Sequence, residues 1–149
     1  KMLDRHAVGR STPPTLNEVE KGAIRRFAES VGDFNPVHYD EEYAKASGFP
    51  SVLAPATFPA SFHTGVDLRE LLGVPVRSLL SAEMSIEYER PICAGDRILV
   101  SAKVAEVQER VGPAGKMEVA TLEEEGRDEK GVLIYRARKS YLVRPKEGA

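Results

Sequence analysis

The chain has 149 residues, of which 42% are hydrophobic and 30% charged, with a formal net charge of −2 and a single cysteine. This balance suits one globular domain with a sizeable core, and it excludes a disordered chain and a basic nucleic-acid binder. The lone Cys93 excludes an intrachain disulfide, and no Cys/His cluster has zinc-site spacing.

Residues 1–15 read as a loose lead-in, because Thr12-Pro13-Pro14-Thr15 blocks regular structure. They offer no apolar run for a signal peptide, and no later stretch approaches the ~20 apolar residues of a membrane span. A reducing, cytoplasmic setting is therefore expected. Asn17 stands as an N-cap with Glu20 three positions on, a capping-box pattern. Ala23, Ile24, Phe27, Ala28 and Val31 follow at helical spacing, and Gly32 stops the helix. Asp40, Glu41 and Glu42 predict the acidic first turn of a short second helix reaching about Ser47, closed by Gly48. Pro59 fits a helix start, so a third, deeply buried helix is expected from Thr57–Pro59 towards Leu72, with Phe58, Phe62, Val66, Leu68 and Leu71 on its apolar faces.

Strands take over in the second half. Met84, Ile86 and Tyr88 alternate with acidic and small polar residues, and Pro91 to Asp96 is a turn. Ile98 to Val104 begins a strand of about ten residues. A further strand carries Met117, Val119 and Thr121 after the Gly112–Gly115 turn. The last runs from Leu133 to Val143, with Lys139 interrupting its apolar face. The pattern predicts an antiparallel meander. Helices first and long strands after make an α+β domain in which the sheet wraps around the buried helix. No repeat or linker divides the chain, so residues 1–149 form one domain. The run Glu123-Glu124-Glu125 is expected at a solvated hairpin end.

The chemistry concentrates in Gly32-Asp33-Phe34-Asn35-Pro36-Val37-His38, which uses one of only three histidines. A carboxylate and an imidazole five residues apart, with a proline stiffening the link, can hold a water or a substrate proton between them. That is the minimum for general acid–base work near neutral pH. Taken singly, Gly32-Asp33 also reads as a helix stop with an Asx turn, and His38 as a loop histidine satisfied by backbone.

This run, continued by Tyr39-Asp40-Glu41-Glu42-Tyr43-Ala44, resembles the signature of MaoC-like hydratases and dehydratases of the hot-dog fold, whose best-known members are R-specific enoyl-CoA hydratases. Ala54-Pro55-Ala56-Thr57-Phe58 is similar to the version in N-terminal MaoC-type dehydratase domains. Arg90-Pro91-Ile92-Cys93-Ala94-Gly95-Asp96 is similar to the turn those domains carry between their first two long strands. The resemblance implies a curved antiparallel sheet around a long central helix, with Asp33 and His38 as the catalytic pair and Asn35 helping to place them. It also implies a backbone N–H at the head of the central helix that binds the thioester carbonyl, which makes Ala56, Thr57 and Phe58 the substrate-binding positions. The family usually carries a glycine after a histidine there, whereas this chain has Pro55 and Ala56.

The implied activity is hydration of 2-enoyl thioesters, or dehydration of 3-hydroxyacyl thioesters, carried on coenzyme A or acyl carrier protein, with no metal or redox cofactor. Such proteins generally pair, so a homodimer or a heterodimer with a second hot-dog chain is expected. One alternative is a non-catalytic acyl-binding subunit. A more distant one is a hot-dog thioesterase using Asp67 or Glu70. Among the arginines, Arg77, Arg90, Arg97, Arg136 and Arg138 are equal candidates for holding the carrier's phosphates.

Overall fold

A computed structural model describes residues 5–74, 79–113 and 115–143. In chain order the elements are β1 (Thr15–Glu18), α1 (Lys21–Ser30), a 3-10 turn (Pro36–His38), α2 (Glu41–Ala46), a second 3-10 turn (Phe58–Ser61), α3 (Leu68–Leu72), β2 (Leu79–Tyr88), β3 (Arg97–Gly112), β4 (Gly115–Arg127) and β5 (Leu133–Val143). The strands form one five-stranded antiparallel sheet in the order β1-β3-β4-β5-β2. Register shifts at Ser81/Glu83, Val104/Glu106 and Gly126/Arg127 bend it. No helix of the described residues is long and apolar enough to cross a membrane.

This curved sheet carries α1 on its inner face. Ile24, wholly buried, packs with Ile98, Val100, Ile134 and Tyr135 in one core cluster, which Phe27 flanks. Leu72, Val104, Ala120, Leu122 and Val143 form a second cluster at the other end of the sheet.

Several local expectations are corrected. Asn17 is not an N-cap; it lies in β1, and Glu20 occupies the cap position of α1 without a side-chain bond. The stretch 57–72 is not one helix. Asn17, 7% exposed, accepts from the His63 N–H at 2.9 Å and donates to the His63 carbonyl at 2.8 Å, while Thr15 donates to the Thr64 carbonyl at 2.9 Å. Those bonds hold residues 63–64 against β1 and compete with helical ones. Phe62 is extended, and Gly65 takes a φ of +75°.

The lead-in is also less loose than expected. Gly9 donates to Val104, Val104 to Arg10 and Thr12 to Ala102, so residues 9–12 extend the β1 edge along β3. The meander covers β3, β4 and β5 only; β2 pairs with β5, so the 91–96 turn joins strands at opposite regions of the sheet. Glu123–Glu125 lies inside β4, where Glu124 is buried. Its carboxylate accepts from the Tyr135 hydroxyl at 2.7 Å and from Lys139 Nζ at 2.9 Å, and Lys139 also donates to the Pro59 carbonyl at 3.1 Å.

Candidate active site

Helix α1 delivers the first candidate group. Its end closes in a Schellman arrangement: the Asp33 N–H bonds the Ala28 carbonyl at 2.9 Å, the Gly32 N–H bonds the Glu29 carbonyl at 3.1 Å, and Gly32 takes the left-handed φ of +70°. Asp33 therefore leaves the helix in a fixed direction. Its Oδ1 accepts from the Asn35 N–H at 3.1 Å, and the Asn35 side chain accepts from the Val37 N–H at 3.1 Å, capping the 3-10 turn that Pro36 opens. The Tyr39 hydroxyl donates to the Asp33 carbonyl at 2.7 Å. Asn35 thus acts on Asp33 through its backbone and on the turn through its amide.

That turn carries His38 into the interior, where its side chain is 6% exposed against 42% for Asp33. Nε2 lies 2.9 Å from Asp33 Oδ2, and Nδ1 lies 2.7 Å from the Leu53 carbonyl. A carbonyl oxygen only accepts, so Nδ1 carries a hydrogen and Nε2 is the nitrogen that faces Asp33. Two acceptors at 2.9 Å would repel each other, so one proton lies between them. The Asn35 N–H does most to hold the Asp33 carboxyl below the usual carboxylate range. Partial desolvation opposes this, and His38 adds to the lowering.

Leu53 links this pair to the other candidate residues. Its N–H bonds the Val37 carbonyl at 2.9 Å, and two residues further on Pro55-Ala56-Thr57-Phe58 forms a tight turn closed by the Phe58 N–H on the Pro55 carbonyl at 2.9 Å. Thr57 has φ −98° and ψ 7°, the values of the third residue of a type I turn. Ala56 and Thr57 are exposed, and their N–H groups have no hydrogen-bond acceptor among the described residues.

Phe58 does not belong with them. Its amide is used within the turn, and its ring, in a residue 3% exposed, packs edge-on against Phe27 and Phe62 with centroids 5.5 Å apart in each case. It is a core residue.

The side chains that sequence reasoning missed are those that hold this turn. Tyr88, at the end of β2, donates its hydroxyl to the Ala56 carbonyl at 2.5 Å, and burial pushes its phenol up to about 12. Tyr88 gave no signal beyond its place in an alternating strand. Lys139 did interrupt an apolar face, and that was the trace of the buried Glu124–Lys139 pair.

Other candidates are committed elsewhere. Asp67 caps α3 and binds the Arg69 guanidinium at 2.8 and 3.0 Å, a contact that holds its carboxyl down at about 2. Arg90 pairs with Asp96, Arg97 with Glu18 and Glu129, and Arg138 with Glu123. Arg136 makes no ion pair with a described residue, and Arg77 lies outside the described residues. His63 is exposed, and its backbone is held by Asn17.

The family described as FAS1-like, dehydratase domain region has a model that matches residues 6–137. A UPF0336 protein of Streptomyces coelicolor is 36% identical over 152 aligned residues that cover 99% of each chain. Among solved structures, the HadBC (3R-hydroxyacyl-ACP dehydratase) complex of Mycobacterium tuberculosis matches with a TM-score of 0.77 at 23% identity, covering 91% of this chain and 96% of that one. An (R)-hydratase of A. caviae involved in PHA biosynthesis matches with a TM-score of 0.69 at 20% identity, covering 92% and 96%. At such identities the structural likeness is one of fold, and that fold is the hot-dog.

Proposed function

The chain belongs to the FAS1-like, dehydratase domain region family, of the MaoC-like hot-dog kind, and from that premise we propose that it adds water to 2-enoyl thioesters or removes it from 3-hydroxyacyl thioesters. The observation that carries the reading is the 2.9 Å contact between the buried His38 Nε2 and the partly exposed Asp33 Oδ2. The HadBC neighbour, a 3R-hydroxyacyl-ACP dehydratase by name, supports the substrate class.

In the hydration direction Asp33 takes a proton from the water as its oxygen bonds the β-carbon. The π electrons move towards the thioester oxygen, and the proton at His38 Nε2 passes to the α-carbon. The pair holds one proton before and after, so proton exchange between the two side chains restores it. Proton transfer of this kind contributes about 10²–10⁴ in rate. The free N–H groups of Ala56 and Thr57 serve the carbonyl oxygen while it carries enolate charge, a contribution of about 10²–10³ for a preorganised donor. Asn35 places Asp33. This chemistry calls on no metal or redox cofactor; the carrier is coenzyme A or acyl carrier protein, and the lone buried Cys93 suits a reducing, cytoplasmic setting.

The test incubates purified protein with crotonyl-CoA and follows the enoyl absorbance. Turnover in the wild type, reduced by about 10²-fold or more in Asp33→Asn and His38→Ala with the fold retained, supports the reading. Equal turnover in all three defeats it. A second reading makes this chain the acyl-binding partner of a catalytic subunit, favoured by the two-chain complexes among its fold neighbours. Strand β2 ends the sheet with one free edge along which a second hot-dog chain, identical or not, would pair. Activity that arises only on mixing with such a chain, and survives Asp33→Asn here, selects that reading.

A further inference from the structure

The segment Pro55–Pro59 is gripped from the sheet at two carbonyls, one inside the turn and one just after it. Tyr88 of β2 donates to Ala56 at 2.5 Å, and Lys139 of β5 donates to Pro59 at 3.1 Å. The grips are braced against each other: the Tyr88 and Tyr135 rings lie 6.3 Å apart, and the Tyr135 hydroxyl and Lys139 Nζ share the Glu124 carboxylate.

What the Tyr88 bond controls follows from turn geometry. Type I and type II turns differ by a flip of the central peptide, here the one between Ala56 and Thr57. The carbonyl and N–H of a trans peptide point in opposite directions. With the Ala56 carbonyl drawn onto Tyr88, the Thr57 N–H faces away from the phenol; after a flip the two would exchange places. Residue identity acts in the same sense, because type II needs a positive φ at Thr57, which a β-branched residue resists.

We propose that Tyr88 is a positioning residue that holds the Ala56–Thr57 peptide in the type I orientation, so that the Thr57 N–H stays directed at the thioester oxygen of the substrate. This rests on the hydratase reading. The raised proton affinity of the phenol keeps it a donor throughout the neutral range.

The test combines kinetics with amide NMR, using crotonyl-CoA as substrate and butyryl-CoA as an unreactive saturated ligand. Tyr88→Phe is expected to lower kcat about 10-fold, less than the 10²–10³ of a deleted oxyanion donor, with KM changed by no more than about 2-fold because uniform binding is retained. In a Thr57→Gly background, where the flip is sterically free, the same substitution is expected to cost several times more. Saturation with butyryl-CoA is expected to shift the Thr57 amide proton downfield in the wild type and less in Tyr88→Phe. Losses equal in both backgrounds, a loss confined to KM, or a Thr57 shift unaffected by Tyr88→Phe would each overturn the inference while turnover of crotonyl-CoA leaves the proposed function standing. A wild type that neither hydrates crotonyl-CoA nor shifts its Thr57 amide removes the function and this inference together.

Discussion

Replacing Lys139 by methionine keeps most of the length of the side chain, short of one atom, and deletes its charge. In the native protein the ammonium lies 2.9 Å from Glu124, with side-chain exposures of 11% and 4%. At an effective permittivity near 20 the gross attraction across such a gap is about 6 kcal/mol. Desolvating the two ions costs several kcal/mol each, so the pair is close to neutral compared with a well-packed apolar pair. Removing one partner is different, because Glu124 stays buried and, among the described residues, keeps the Tyr135 hydroxyl alone as a donor. The expected loss for Lys139→Met is therefore about 3–5 kcal/mol, or roughly 10 °C in Tm for a chain of this size. Glu124→Gln combined with Lys139→Met leaves no buried charge, and its carbonyl still accepts from Tyr135. It is expected to recover at least half of the loss. Denaturant melts of the wild type, both single variants and the double variant measure the coupling. A loss below about 1 kcal/mol for Lys139→Met, or a double variant no more stable than that single one, would mean that the pair is solvated and the reasoning wrong.

Gly126→Ala is expected to destabilise at the upper end of the ~1–3 kcal/mol typical of overpacking: a Cβ there would overlap the fully buried Tyr135 ring and lie 2.8 Å from Ile98 Cγ2. A thermal melt within about 2 °C of wild type would show that the ring yields. Asp67→Asn gives a pH signature. The folded carboxyl is lowered from 3.8 to about 2 by Arg69, so its stabilisation is fully present above pH 4 and is lost as the pH falls through about 2. The variant should melt below the wild type at pH 7, with the difference closing between pH 4 and 2; a difference independent of pH would refute the assignment.

The approach of His38 to Asp33 was legible because its determinants are local. Gly32 ends α1, Asn35 and Pro36 shape the next turn, and five residues suffice to bring His38 back onto Asp33. The strands were legible from alternation, although β3 runs to 16 residues where about ten were expected. What was not legible depends on partners distant in sequence. Thr15–Glu18 has too few residues to declare a strand and is one because β3 accepts it. Asn17 carries the composition of a cap, and only the position of His63 reveals that it bonds a loop 46 residues away. The apolar spacing from Phe58 to Leu72 favours a helix, but those side chains divide between two core clusters and the intervening backbone is held by β1. Glu124 is hidden by its neighbours: in an acidic triplet, strand alternation turns the middle residue inward and the outer two outward.

The pairing of β2 with β5 has a consequence for synthesis. Every strand partner of Leu79–Tyr88 among the described residues comes from Leu133–Val143, so a nascent chain carries β2 without a sheet to dock on until β5 has left the ribosome. Until then Tyr88 has no sheet to brace it, and the Ala56 carbonyl has no fixed donor. The sheet therefore completes its β2 edge last, and a chain broken off before Leu133 would retain Asp33 and His38 while lacking the strand on which β2, and with it Tyr88, docks.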